Sequence, residues 1–207
     1  MFFGDWLQRR ASLSPNKVAL VDALHDDQPI TYAGWNRRAN RLANFFRDGL
    51  GIRQGDRVSI YATNRVEYLD ALFACNKLGA ILQVLNWRLT PRELASIIDD
   101  ATPRVLLYSR EFMSQVDSLY SQLPSVERFV GLDKVVRDRD PHWPTESDNW
   151  PDTQPAPVEL DWEEPWMICY TGGTTGLPKG AILHYLSLIH ISEPTRPVGI
   201  SRMPSSA

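Results

Sequence analysis

Between residues 31 and 132, short apolar runs alternate with segments of helical period, and this alternation limits the available folds more than any other property of the chain. "YAGWNRRANRLANFFRDGLG" sets Trp35, Ala39, Leu42, Phe45, Phe46 and Leu50 at helical spacing. Arginines 37, 38 and 41 fill the other face, and Gly49 and Gly51 end the segment. "GDRVSIY" reads as a short strand. Asn64 stands where it can cap the next helix, "RVEYLDALFACNKLGA", which ends at Gly79. "AILQVLN" is a continuous apolar run, the pattern of a strand buried on both faces. "LTPRELASIIDDA" carries a helix start: Thr90 at the N-cap, Pro91 at the first helical position and Glu93 where it completes a capping box. "PRVLLY", "REFMSQVDSLYSQL" and "ERFVGL" then read as strand, helix and strand. Strands alternating with helices predict an α/β fold, a mainly parallel sheet flanked by helices.

From Asp133 to Pro165 periodicity stops and the sequence turns rich in Pro, Asp and Trp. This stretch reads as a long surface connection crossing to another part of the fold, pinned to the core by Trp143, Trp150, Trp162 and Trp166. "PWMICY" resumes as a strand.

That strand runs directly into "TGGTTGLPKG", residues 171–180. Gly172, Gly173 and Gly176 allow tight turns that expose backbone amides. Thr171, Thr174 and Thr175 add hydroxyls, and Lys179 adds an ammonium. Amides, hydroxyls and one cation together suit a polyphosphate. The same composition also fits a plain Gly/Thr turn between two strands. A Walker A loop requires G-x-x-x-x-G-K-[ST] opening a helix, and here proline precedes the lysine and glycine follows it.

Bulk properties narrow the partners. The chain has 207 residues and a formal net charge of −3, so no broad basic field points to nucleic acid or an anionic membrane. Cys75 and Cys169 are far apart and lack metal-ligand spacing, which favours reduced thiols. No apolar run approaches the roughly 18 residues of a membrane span. The start "MFFGDWLQRRASLSP" has Asp5 early and its arginines late, opposite to a secretory signal, so a cytoplasmic location is expected. His184 and the Asn86-Trp87-Arg88 turn have packing or surface roles as their simplest reading, Cys169 is a strand filler, and Arg37, Arg38 and Arg41 a solvated helix face.

"MICYTGGTTGLPKGA" resembles the phosphate-loop signature of the adenylate-forming, or AMP-binding, superfamily, with glycine at 172 where serine is often found. Upstream, "ITYAGWNRRANRLANFF" and the stretch from "GIRQGDRVSIY" to "ATPRVLLY" resemble its early helix and second block in the same order. "NWRLTPREL" leans towards the branch of fatty-acyl and aryl-acid CoA ligases. The resemblance implies the N-terminal part of the large domain over residues 1–185. It implies ATP-dependent activation of a small-molecule carboxylic acid as an acyl-adenylate, then transfer to coenzyme A, with Mg²⁺ assisting. Thr171, Gly172, Gly173, Thr174, Thr175, Gly176 and Lys179 would cradle the β- and γ-phosphates. An adenylation domain that loads a carrier protein is the alternative within the superfamily, and a stand-alone nucleotide-binding module the alternative outside it.

The superfamily's later elements, namely an aromatic-Gly-x-Thr-Glu stretch, a ribose-binding aspartate, a hinge and a small domain with a catalytic lysine, do not follow the loop in this sequence. "LSLIHISEPTR" and "SRMPSSA" instead resemble the translation of a transposase-type sequencing-library adapter and of its constant segment beyond the sample index. Residues 186–207 are therefore expected to be a non-native tail, and the 207-residue chain is expected to be inactive and poorly soluble, with no catalytic residue retained.

Overall fold

The computed structural model describes residues 5–134, 136–171 and 178–187. Helix α1 (Trp6–Leu13) leads into an antiparallel hairpin of β1 (Val18–Asp22) and β2 (Gln28–Thr31). Helix α2 (Tyr32–Asn44) follows and widens into a π-helical turn over Phe45–Gly49. Then come β3 (Arg57–Tyr61), α3 (Val66–Leu78), β4 (Ile81–Val84), α4 (Pro91–Ala101), β5 (Val105–Tyr108), α5 (Met113–Leu119) and β6 (Arg128–Gly131). A short α6 (Trp143–Glu146) interrupts the long connection before β7 (Pro165–Thr171) and β8 (Lys179–His184). β3 to β8 form one six-stranded sheet in the order β6-β5-β3-β4-β7-β8, parallel throughout except for β8. The expected mainly parallel sheet is what the chain forms.

Side-chain alternation along the strands divides the core into two. Val58, Ile60, Leu82, Val105, Leu107 and Val130 point to one face, where α2, its π-helical turn and α3 cover them with Leu42, Phe46, Ala71, Ala74 and Leu78. Tyr61, Leu106, Tyr108 and Phe129 point to the other, under Leu94, Ile97 and Ile98 of α4 and Val116 and Leu119 of α5. Two polar side chains sit in that second layer without exposure: Ser59 donates to Gln83, whose amide donates to the carbonyl of Ile97 at 2.7 Å. Trp35 and Ala39 of α2 form a third cluster with Leu7 of α1 and the hairpin.

The capping box forms as the sequence requires: the Thr90 N–H donates to the Glu93 carboxylate at 2.8 Å and the Glu93 N–H to Thr90 Oγ1 at 3.4 Å. The cap expected at Asn64 does not. Arg65 takes the N-cap of α3 with no side-chain cap, and its guanidinium reaches Glu67 at 2.8 Å and Asp133 at 3.0 Å instead. Gly79 closes α3 in the left-handed conformation, φ +65°, with Leu160 so near that an added Cβ would lie 2.8 Å from its Cδ2.

The connection after β6 runs across the α2 and α3 face to reach β7. Trp143 and Trp150 each place a ring 5.5 Å from that of Phe45. Its backbone carbonyls find donors in α2: Asn40 reaches Asp152 O at 2.8 Å, and Asn44 reaches Pro151 O at 2.8 Å and Thr153 O at 3.0 Å. Deeper still, the Lys77 ammonium of α3 is fully buried. It donates to Asp5 at 2.5 Å, Asn36 at 2.8 Å and Gln154 at 3.2 Å. Burial depresses the Lys77 pKa, and Asp5 opposes that shift.

Removing one partner of a buried ion pair leaves the other charge uncompensated. Lys77→Met is expected to destabilise the chain by about 3 kcal/mol, read from the urea midpoint at constant slope. A loss below about 1 kcal/mol would show that the network is not holding these four segments together.

Candidate functional site

All the parallel strands end at one edge of the sheet, the position where open α/β sheets bind ligands. β7 delivers its carboxyl end there. Its pairing with β4 runs from Leu82 with Met167 to Val84 with Cys169, so Tyr170 and Thr171 project beyond the last residue paired with β4. β8 returns antiparallel, pairing Tyr170 with Gly180 and Thr171 with Lys179. The two ends of the Gly/Thr loop thus face each other across a single rung, and Thr171 Oγ1 donates to the Lys179 carbonyl at 3.4 Å. Of the sequence-predicted phosphate ligands, Thr171 and Lys179 are placed by the structure. Gly172, Gly173, Thr174, Thr175 and Gly176 lie outside the described residues. Lys179 is exposed and forms no ion pair among the described residues.

Other residues reach the same edge. After β4, Asn86 Oδ1 accepts the Arg88 N–H at 3.0 Å and the Asn86 carbonyl accepts the Leu89 N–H at 3.1 Å, so the turn is held by its own hydrogen bonds. The Arg88 guanidinium lies 4.2 Å from the Trp87 ring, which is exposed. His184 sits at the opposite edge, paired in register with Pro165 and with its Nδ1 against the carbonyl of Glu163. Cys75 and Cys169 are both free, and burial raises the thiol pKa of Cys169.

A cavity of about 740 Å³ opens beside the ends of β3 and β6, between the hairpin, α2, the start of α3 and α6. Here the solvated-face reading of the α2 arginines needs correction for Arg38. Its Nε and Nη2 donate to one oxygen of Asp70 at 2.9 and 2.6 Å, and Glu67 lies 3.6 Å away. Asp70 is 1% exposed, and its other carboxylate oxygen has no hydrogen-bond partner. Burial raises the Asp70 pKa to about 6, with Arg38 opposing and Glu67 and Asp22 adding to the rise. The neighbouring arginines are also paired: Arg41 with Asp148 at 2.7 Å and Arg37 with Asp152 at 3.9 Å. No sequence signal identified this cluster, because the partners come from separate elements.

A mainly parallel sheet flanked by helices, with the Thr171 and Lys179 stems paired beyond its carboxyl edge, defines an α/β domain. The sequence matches the family described as AMP-binding enzyme over residues 7–195, and the chain belongs to that family. It is 33% identical over 187 residues to a long-chain-fatty-acid–CoA ligase of Thermus thermophilus, covering 89% of this chain and 34% of the relative. It is 35% identical over 189 residues to a feruloyl-CoA synthase of an Amycolatopsis species, again covering 89% and 34%. Among solved structures, a Mycobacterium tuberculosis fatty acyl CoA synthetase matches with TM-score 0.79 at 29% identity, over 90% of this chain and 35% of that one. An anthranilate CoA ligase in complex with anthranoyl-AMP matches with TM-score 0.83 at 28% identity, over 89% and 35%. The chain spans about a third of the length of the curated relatives it matches.

Asp70 makes a pH prediction. Its folded pKa of about 6 lies above its ordinary value of 3.8, so the protonated form is favoured by folding. That contribution is complete below pH 3.8 and disappears as pH rises through about 6. The unfolding free energy of the parent chain is expected to fall by about 3 kcal/mol across that window relative to Asp70→Asn, measured by urea titration at each pH. Parallel profiles for the two chains would contradict the assignment.

Proposed function

We propose that this chain is the N-terminal portion of an ATP-dependent acyl-CoA synthetase. The parent protein activates a small-molecule carboxylic acid as its acyl-adenylate, releases pyrophosphate, and transfers the acyl group to the thiol of coenzyme A. The observation that carries this reading is the rung pairing Thr171 with Lys179 at the carboxyl edge, in a chain of the AMP-binding family. Acyl- and aryl-CoA ligases among its relatives support the acid and the thiol acceptor.

In this role the loop organises the leaving group and supplies no acid or base. Thr171, Gly172, Gly173, Thr174, Thr175 and Gly176 provide hydroxyls and amides to the β- and γ-phosphates, and the Lys179 ammonium offsets their charge. The exposed, unpaired state of Lys179 fits this: no carboxylate among the described residues competes with phosphate for it. Mg²⁺ bound to the phosphates would stabilise negative charge on the departing pyrophosphate.

The native domain covers residues 1–185 in this reading, residues 186–207 are a non-native tail, and the parent protein works in the cytoplasm. No helix among the described residues is long and apolar enough to cross a membrane. The 207-residue chain spans about a third of the length of its curated relatives and is expected to show no ATP–pyrophosphate exchange. The uninterrupted coding sequence from the same source should show exchange that depends on a carboxylic acid, and Lys179→Ala in it should lower the rate about 100-fold, as loss of a charge-stabilising donor does. Exchange by the 207-residue chain itself, or full activity of the substituted parent, would refute the reading. The DNA across codons 186–196 tests the domain boundary: a nucleotide sequence unrelated to the adapter would sink it.

A further inference from the structure

We propose that Tyr170 and Asp100 act as a positioning pair for polyphosphate binding, tethering the stems of the loop to α4 so that Thr171 and Lys179 meet the anion in one fixed arrangement. The inference rests on the phosphate-loop reading above. β4 pairs with β7 only as far as Cys169, so beyond that residue the hairpin has no sheet partner except its own second strand. β8 pairs with no further strand among the described residues. The loop stems therefore overhang the sheet, and something other than the ladder must fix their direction.

Tyr170 does so from two sides. Its hydroxyl donates to the Asp100 carboxylate in the last turn of α4, and its ring packs against the α4 and α5 core layer. On the opposite strand, Gly180 leaves room for that ring: a Cβ there would stand 3.1 Å from Tyr170 Cζ and 3.2 Å from Ile168 Cγ2. The ring is thus held between the β8 backbone and a helix that belongs to the body of the domain. Burial and the nearby Asp100 both raise the Tyr170 pKa, so the phenol keeps the proton it donates. Asp100 is exposed and brings a negative charge towards an anion site, which by electrostatics alone would weaken binding. The pair's benefit is geometric, and the two effects predict opposite outcomes for the same substitution.

The test is calorimetric binding of inorganic tripolyphosphate to the parent protein encoded by the uninterrupted sequence and to its variants, with thermal midpoints and amide exchange alongside. Tyr170→Phe and Asp100→Ala should each weaken binding about fivefold, and the double variant no further, since one hydrogen bond is lost in all three. Asp100→Asn should stay within about twofold of the parent, because its amide oxygen still accepts the phenol. Exchange at Thr171 and Lys179 should quicken in Tyr170→Phe and Asp100→Ala while the thermal midpoints stay put. Parent-like binding by Tyr170→Phe, or tighter binding by Asp100→Ala, overturns the pair. Lys179→Ala keeps the tether and removes the ammonium, so parent-like binding there overturns the phosphate-loop reading instead. A parent chain that binds no tripolyphosphate also overturns that reading, and unchanged exchange in Tyr170→Phe then overturns the tether on its own.

Discussion

A single buried ammonium determines how the outer layers meet the sheet. Lys77 has no exposed surface, so each of its donors must find an acceptor within the protein. The acceptors come from the cap of α1, from α2 and from the long connection: Asp5, Asn36 and Gln154. Gln154 in turn donates to Asp5 at 2.7 Å, so the charged pair is closed by a carboxamide that belongs to the connection. The connection has little regular structure, and its carbonyls would be left unpaired against α2 without Asn40 and Asn44. Three side chains on two helices thereby fix the path by which the chain leaves β6 at one edge and reaches β4 on the far side of β3. Without that path β7 would not arrive beside β4, and Thr171 and Lys179 would not stand at the carboxyl edge.

The core strands and helices were legible because their burial is local in pattern. The largely apolar β4, broken only by Gln83, and the fully apolar β5 lie inside the sheet, covered on both faces, so nearly every side chain is buried and the run itself is the signal. The capping box at Thr90 and Glu93 is readable for the same reason, since both partners lie within one turn. The β1–β2 hairpin offered no such pattern. Val18, Val21 and Leu24 are exposed, so its apolar residues do not alternate with polar ones. At α3 the cap signal misled by one residue: Asn64 has the preferred chemistry, yet Arg65 takes the position because Glu67 and Asp133 hold its guanidinium from opposite sides.

Charge partners were the least legible property. Helical spacing correctly puts Arg37, Arg38 and Arg41 off the apolar face of α2, but a solvated face and a paired one look alike in sequence. Asp70 lies 32 residues from Arg38 and becomes its partner only when α3 packs against α2. The same limit applies at the loop. Residue types at 171–180 suit a polyphosphate, but nothing in them shows that β7 extends past its pairing with β4 or that Asp100 accepts from the Tyr170 hydroxyl. Those facts follow from strand register and from the length of α4, which are set by the packing of whole elements.

Two cationic features at this edge of the sheet differ in what their charges can do. In the cavity beside α3, Arg38 and Arg65 already face Asp70, Glu67 and Asp133 within 4 Å, so an incoming anion would have to displace carboxylates that burial holds in place. Asp70 itself answers its surroundings by retaining a proton at higher pH than a solvated aspartate, which is how a low-dielectric site lowers its charge when ligands do not. Lys179 has no such partner among the described residues and is exposed, so in the proposed role only water would have to leave for a phosphate to bind. Similar basic residues thus stand in opposite states: the arginines of the cavity are paired with carboxylates of the protein itself, and Lys179 is exposed with no ion pair among the described residues.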